Sequence, residues 1–186
     1  MPETRGRVVP EARGRVVPEA RGKVVPEARG RVVPEARGRV VPEARGKVVA
    51  EARRWIGTPY LHGAARRGAG CDCLGLVRGV WVALAGAAPE AVPAYPRHEA
   101  SAREILRDAA RRHLREIAPE AAGPGDLLLF RLRRGAAARH LGVMAAQGGG
   151  PSFIHAYEGH GVVESPLTPP WRRRIAACFA LTERIG

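Results

Sequence analysis

The chain has few cysteines, no long apolar run and a shortage of negative charge, and each shortfall removes a class of protein. Three cysteines, Cys71, Cys73 and Cys178, in 186 residues are too few for a disulfide framework. Cys71 and Cys73 also stand too close together for an unstrained mutual bridge. No stretch approaches the roughly 20 consecutive apolar residues of a membrane-spanning helix. The first residues form a repeat rich in Glu and Arg, without the apolar segment of a secretory signal, so cytoplasmic synthesis is expected. Acidic residues number 18 against 31 Lys and Arg, a formal net charge of +13. That sign attracts polyanions in general, whether nucleic acid, anionic lipid or the acidic polymers of a bacterial envelope. It does not choose among them, since both parts of the chain share the excess: residues 1–50 carry a net +6 and residues 51–186 a net +7. An Ala-, Gly- and Arg-rich composition also marks a GC-rich genome, and nucleic-acid binding by the basic N-terminal part is not the expectation.

What is present divides the chain in two. From Pro2 to Val49 an eight-residue unit, Pro-Glu-Ala-Arg-Gly-Arg/Lys-Val-Val, recurs with almost no drift. Pro at 2, 10, 18, 26, 34 and 42 excludes one continuous helix, because each removes a backbone donor and clashes with the preceding turn. The Val-Val pairs are too short to give a strand a buried face, and each unit offers too little apolar surface for the rung of a solenoid. Residues 1–45 are therefore expected to be an extended or disordered tail. In the last copy Ala50 replaces the recurring Pro, and a helix is expected there with Val48, Ala52, Trp55 and Ile56 on one face, ended by Gly57 and Pro59. The domain is placed at residues 46–186.

Within it the chain turns at Gly70–Asp72, and Cys73, Leu76, Val77, Val80 and Leu84 then fall at helical spacing up to Gly86. After a loop with Pro89, Pro93 and Pro96, Ser101-Ala-Arg-Glu104 reads as a capping box. It opens a helix whose buried stripe is Ile105, Leu106, Ala109, Leu114 and Ile117. Strands are predicted at 126–130, 139–144, 153–157, 161–164 and 174–179, the last closing the sheet. Helices first and a meander of short strands last give an α+β domain, with helices packed on one antiparallel sheet.

Cys73 stands where a turn becomes a helix, so free backbone N–H groups and the positive dipole end favour a thiolate and an oxyanion there. A thiol acting near neutral pH needs a base. His140 and His155 lie on predicted strands; placed side by side, the first could take the thiol proton and the second hold its ring. Zinc is the competing use of Cys71, Cys73, His140 and His155, but Cys-x-Cys lacks the usual two to four intervening residues, and no metal or cofactor is expected. Cys71 and Cys178 read as buried structural thiols. His98, His113 and His160 read as surface or satisfied polar residues, while His62 is the histidine to watch near the site. Arg172-Arg-Arg174 reads as a solvated stretch, Trp55 and Trp81 as core, and Trp171 has no assigned place.

Gly57-Thr-Pro-Tyr60, Asp72-Cys-Leu-Gly-Leu-Val77, Pro124-Gly-Asp126 with the following apolar run, His140-Leu-Gly-Val143 and Phe153-Ile-His-Ala156 occur in that order. The series resembles the NlpC-type papain-like cell-wall cysteine peptidases over nearly all of residues 47–183. Gly70–Trp81, Ala156-Tyr-Glu-Gly159 and Val163-Glu-Ser-Pro166 are similar to one branch, the phage cell-wall peptidases that include those encoded with gene transfer agents. The resemblance implies a papain-like fold, with Cys73 as nucleophile, His140 as base and His155 as the residue that orients it. It implies Tyr60 at the substrate end of the site and Asp72 as the acidic residue before the nucleophile, both on the substrate side. The implied substrate is the peptidoglycan stem peptide, cut at the D-γ-glutamyl–diamino-acid bond. The implied setting is a phage-like particle acting at the cell wall, with tail-tip proteins as partners. Leu74 departs from the pattern, since many members have Ser there. The competing readings are a non-catalytic tail-tip or wall-binding module, and an amidase or acyltransferase on the same scaffold.

Overall fold

Leu127-Leu-Leu-Phe130 is apolar at every position because strand β4 (Leu127–Phe130) is buried on both faces. In a computed structural model of the chain, residues 40–91 and 103–184 are described. They lie in one compact unit, Pro34–Gly186. Alternation along β4 sends Leu127 and Leu129 to one side and Leu128 and Phe130 to the other, and each pair joins a separate cluster. The strands around it are β3 (Arg115–Ile117), β5 (His140–Gln147), β6 (Gly150–Tyr157), β7 (Gly161–Pro166) and β8 (Ile175–Ala180). Among the described residues these form a six-stranded antiparallel sheet in the order β3-β8-β4-β5-β6-β7. The meander expected from sequence therefore holds from β4 to β7. The last strand, expected to close the sheet, instead inserts between β3 and β4.

Helices α1 (Val40–Arg53) and α2 (Cys73–Ala85) cover the Leu127/Leu129 side, supplying Val48, Val49, Ala52, Leu76, Val77 and Val80 to its cluster. The helix α1 begins at Val40, within the stretch expected to be tail. Pro42 is tolerated there because the first helical turn has no intrahelical acceptor for its missing N–H. Arg45 secures this turn: its guanidinium donates to the Pro124 carbonyl at 3.1 Å and to Asp126 Oδ2 at 2.8 Å. Asp126 is wholly buried, so this ion pair fastens the final repeat copy to the start of β4. Trp55 is buried in the turn after α1, while Ile56, expected beside it, is 46% exposed.

Glycines on α2 let the chain that precedes it approach closely. A Cβ at Gly79 would fall 2.0 Å from the Trp55 ring, and one at Gly75 would fall 1.9 Å from the Ala64 carbonyl oxygen. Both stand on α2, four residues apart, so the segment before the short hairpin β1 (Ala65–Arg66) and β2 (Gly70–Cys71) lies directly on the helix that carries Cys73.

The second predicted helix is shorter than its apolar stripe suggested. The helix α3 (Ile105–His113) ends where Leu114 turns to extended backbone, and Arg115–Ile117 becomes the edge strand β3 on β8. Ile105, expected to be buried, is 52% exposed. Ser101 of the expected capping box, Pro93, Pro96 and His98 lie outside the described residues, as does the repeat before Val40. On the other side of the sheet a one-turn helix, α4 (Pro169–Arg172), sets Trp171 against Phe130 and Phe153, with ring centroids 5.3 and 5.0 Å away. No helix of the described residues is long and apolar enough to cross a membrane.

Candidate active site

Cys73 is the first residue of α2, and the turn before it is held by Asp72. The Asp72 carboxylate accepts the Gly75 N–H at 2.8 Å through Oδ1 and the Gly63 N–H at 2.7 Å through Oδ2. This is the helix-capping use of an aspartate, which satisfies an N–H that the first turn leaves without a partner. Asp72 is only 2% exposed, and His62 Nδ1 stands 3.5 Å from its Oδ2. Tyr60 is brought to the same turn by a bridge to Cys71, with the Cys71 N–H donating to the Pro59 carbonyl at 3.0 Å. The segment is clamped at its other side by β7, since the Gly57 N–H donates to Val162 and the Val162 N–H to Thr58.

The half-buried thiol of Cys73 lies against the backbone on both sides of His140. It donates to the Arg139 carbonyl at 3.8 Å, while the Leu141 N–H points at the sulfur. Burial pushes the thiol up to about 11, and the negative charge of Asp72 adds to that. The backbone N–H groups of Leu141, Leu74 and Cys73 pull the other way, as donors at a helix start should. Cys71 is fully buried, and burial pushes its thiol up to about 12; Cys178 is likewise buried in the second cluster.

His140 begins β5 and His155 sits in β6, and their rings meet on the α4 side of the sheet. His140 Nε2 is 2.8 Å from His155 Nδ1, with the rings nearly perpendicular at 82°. Burial holds His140 down to about 4 and His155 down to about 3, so both imidazoles are neutral near pH 7. His155 Nε2 in turn lies 3.0 Å from Ser165 Oγ. Gly142 makes room for the Phe153 ring that packs on His155: a Cβ there would stand 2.8 Å from Phe153, and 3.5 Å from the Cβ of His155. Trp171 closes the far side, with centroids 6.1 Å from His140 and 5.6 Å from His155. Tyr157, 41% exposed, forms the outer rim beside both histidines.

The structure thus brings Cys73, His140 and His155 to one end of the sheet, with Asp72 capping the turn before Cys73 and Tyr60 bridged to that turn. Sequence reasoning did not find Ser165, Gly142 or Trp171. Ser165 could have been reached through hairpin register, because Val163 pairs with His155 and Ser165 is the next residue on that face. Trp171 gave no such signal, since its position depends on a one-turn helix after Pro166. Among the described residues no three of His, Cys, Asp and Glu gather as a metal-ligand set.

A thiol at a helix start, lying on the backbone that flanks a neutral imidazole bonded to a second one, has the groups to pass a proton and form a bond to an acyl carbon. The NlpC/P60 family model matches residues 57–179. Among solved structures the chain is similar to the NlpC/p60 domain of the peptidoglycan hydrolase SagA, at 26% identity and a TM-score of 0.50, covering 73% of this chain and 97% of that one. It also shares its fold with an NlpC/P60 family protein from Bacillus cereus (19% identity, TM-score 0.53, 74% of this chain and 40% of that one). A lipoprotein-like NLP/P60 protein from Staphylococcus aureus matches in the same way (24%, 0.51, 75% and 41%), so the chain spans about two-fifths of each of these two. No curated protein matches the chain.

Proposed function

Because the chain belongs to the NlpC/P60 family and is a cysteine-type cell-wall peptidase, we propose that Cys73 is its nucleophile, His140 its general base and His155 the residue that orients the base. The observation that carries this reading is the 2.8 Å His140–His155 bond, with the Cys73 sulfur lying on the backbone that flanks His140. At rest the pair is neutral, since burial disfavours a lone thiolate and a lone imidazolium alike. When substrate arrives the thiol proton passes to His140, and the two charges form together and compensate each other. The sulfur bonds to the carbonyl carbon, and the oxyanion faces N–H groups at the start of α2. The imidazolium then gives its proton to the leaving amine, leaving a thioester. Water, deprotonated by His140, attacks the thioester and releases the acid and the free thiol.

Asp72, buried and engaged by two backbone N–H groups, acts by positioning Cys73, whereas Tyr60 contributes to the substrate side. The proposed substrate is the peptidoglycan stem peptide, and the proposed bond joins D-γ-glutamate to the diamino acid. The proposed setting is a phage-like particle that reaches the cell wall with tail-tip proteins. It is supported by the likeness of Gly70–Trp81 and Val163–Pro166 to that branch. Mass spectrometry of diaminopimelate-containing muropeptides tests the bond. Products ending at D-glutamate and beginning at the diamino acid are expected; cleavage only at another bond, or none, overturns it.

A further inference from the structure

The bond between His155 and Ser165 bears on how the base is kept ready, given the roles proposed above for Cys73, His140 and His155. A neutral imidazole carries one N–H and one lone pair, so a chain of imidazoles has a direction. His140 can accept the thiol proton at Nδ1 only if its own proton is on Nε2. That proton then points at His155 Nδ1, 2.8 Å away, which must accept it. His155 is thereby forced to carry its proton on Nε2, and that N–H needs an acceptor. His155 is 1% exposed, so bulk water does not supply one. Of its packed neighbours, Phe153, at 4.3 Å between centroids, has no acceptor, the Trp171 indole, at 5.6 Å, is a donor only, and Tyr157, also at 5.6 Å, meets His155 by its ring with no hydrogen bond from its hydroxyl. Ser165 Oγ, at 3.0 Å from Nε2, fills the position.

We propose that Ser165 is a positioning residue that fixes the proton arrangement of both histidines, making His140 available as a base. Its hydroxyl accepts from His155 Nε2; His155 Nδ1 accepts from His140 Nε2; His140 Nδ1 is left open to the thiol proton. Without the hydroxyl, the base-ready arrangement buries an N–H that has no partner. The reversed arrangement then gains population: His155 donates from Nδ1 to His140 Nε2, which places the His140 proton on Nδ1 and blocks it. The same acceptor matters more once His140 is charged. The imidazolium donates from both nitrogens, and only the forward arrangement can accept from it.

The test is Ser165→Ala beside Ser165→Thr, which keeps a hydroxyl at the same place. Ser165→Ala should lower kcat/KM by about tenfold or more, carried by kcat with KM little changed, since one buried donor is left unpaired. Ser165→Thr should restore most of the rate. Long-range proton–nitrogen NMR of the two imidazoles supplies a readout independent of substrate. The wild type should show His140 protonated on Nε2 near neutral pH, and Ser165→Ala should shift His140 toward the Nδ1 form. Thermal melting of each variant identifies any that fails to fold, and in that case Ser165→Val and Ser165→Cys replace it. Unchanged His140 protonation in a folded variant without the hydroxyl overturns the proposal, whatever the rate. A wild type that cleaves no muropeptide while the NMR shift occurs would sink the peptidase reading and leave the role of Ser165 standing.

Discussion

Asp72 accepts the backbone N–H of Gly75 at 2.8 Å, and through that one bond the residue before Cys73 fixes the first turn of the helix that carries the thiol. The same carboxylate also accepts from Gly63, so it ties α2 to the loop that precedes β1. Asp72→Ala removes both acceptors. We expect a loss of about 1–2 kcal/mol in denaturant unfolding, from the missing cap. We also expect a fall in kcat/KM of about tenfold or more, because Cys73 is no longer held. Asp72→Asn retains one acceptor and should lose less. It also removes the negative charge that raises the Cys73 thiol. Its alkylation rate should therefore reach half-maximum at lower pH than in the wild type, and a midpoint that rises would contradict this role.

Gly142 stands on β5 two residues after His140 and against Phe153, and a single methyl group there has nowhere to go. Its Cβ would press on Phe153 at 2.8 Å, and Phe153 is fully buried against Phe130 and Trp171. Gly142→Ala should cost about 1–3 kcal/mol by overpacking. Its hydrolysis rate should fall further than the folded fraction does, since relief comes by moving Phe153 and, with it, His155. Equal activity per folded molecule would show that the histidine pair tolerates the shift.

The buried histidines also make stability depend on pH. Their folded values of about 4 and about 3 lie below the ordinary imidazole value of about 6.5, so as pH falls the unfolded chain binds protons first. Their contribution is full above about pH 6.5 and is lost progressively as pH falls from there through the folded values. Between pH 7 and pH 5 the pair should account for about 2–4 kcal/mol of lost stability. Urea unfolding of the wild type and of the double variant His140→Gln/His155→Gln measures this. The double variant should lose distinctly less over that interval, while carboxylates common to both cancel. Identical losses would mean the two rings are not buried as neutral bases.

Much of this site was legible because its parts are local. The turn before Cys73, the helical spacing after it and the strand character around His140 and His155 each follow from short stretches. What could not be read depends on contacts distant in sequence. The stripe through Leu114 and Ile117 fits a helix, yet Arg115–Ile117 is drawn into the sheet by Ala180, Phe179 and Cys178. The last strand inserts between β3 and β4, a pairing no local pattern announces. Gly75 and Gly79 fit a helical pattern as gaps, and their reason appears only when Ala64 and Trp55 are seen pressed on them. The start of α1 within the repeat depends on Asp126 receiving Arg45, 81 residues apart in sequence.

The most direct test compares muropeptide hydrolysis by the wild type, Cys73→Ala and Cys71→Ala at equal folded concentration. Cys71 is wholly buried two residues before Cys73, so it serves as the neighbouring thiol without the helix start. We expect cleavage by the wild type, retained cleavage by Cys71→Ala and none by Cys73→Ala. Product from Cys73→Ala at the wild-type rate, or its loss only in Cys71→Ala, would contradict Cys73 as the nucleophile.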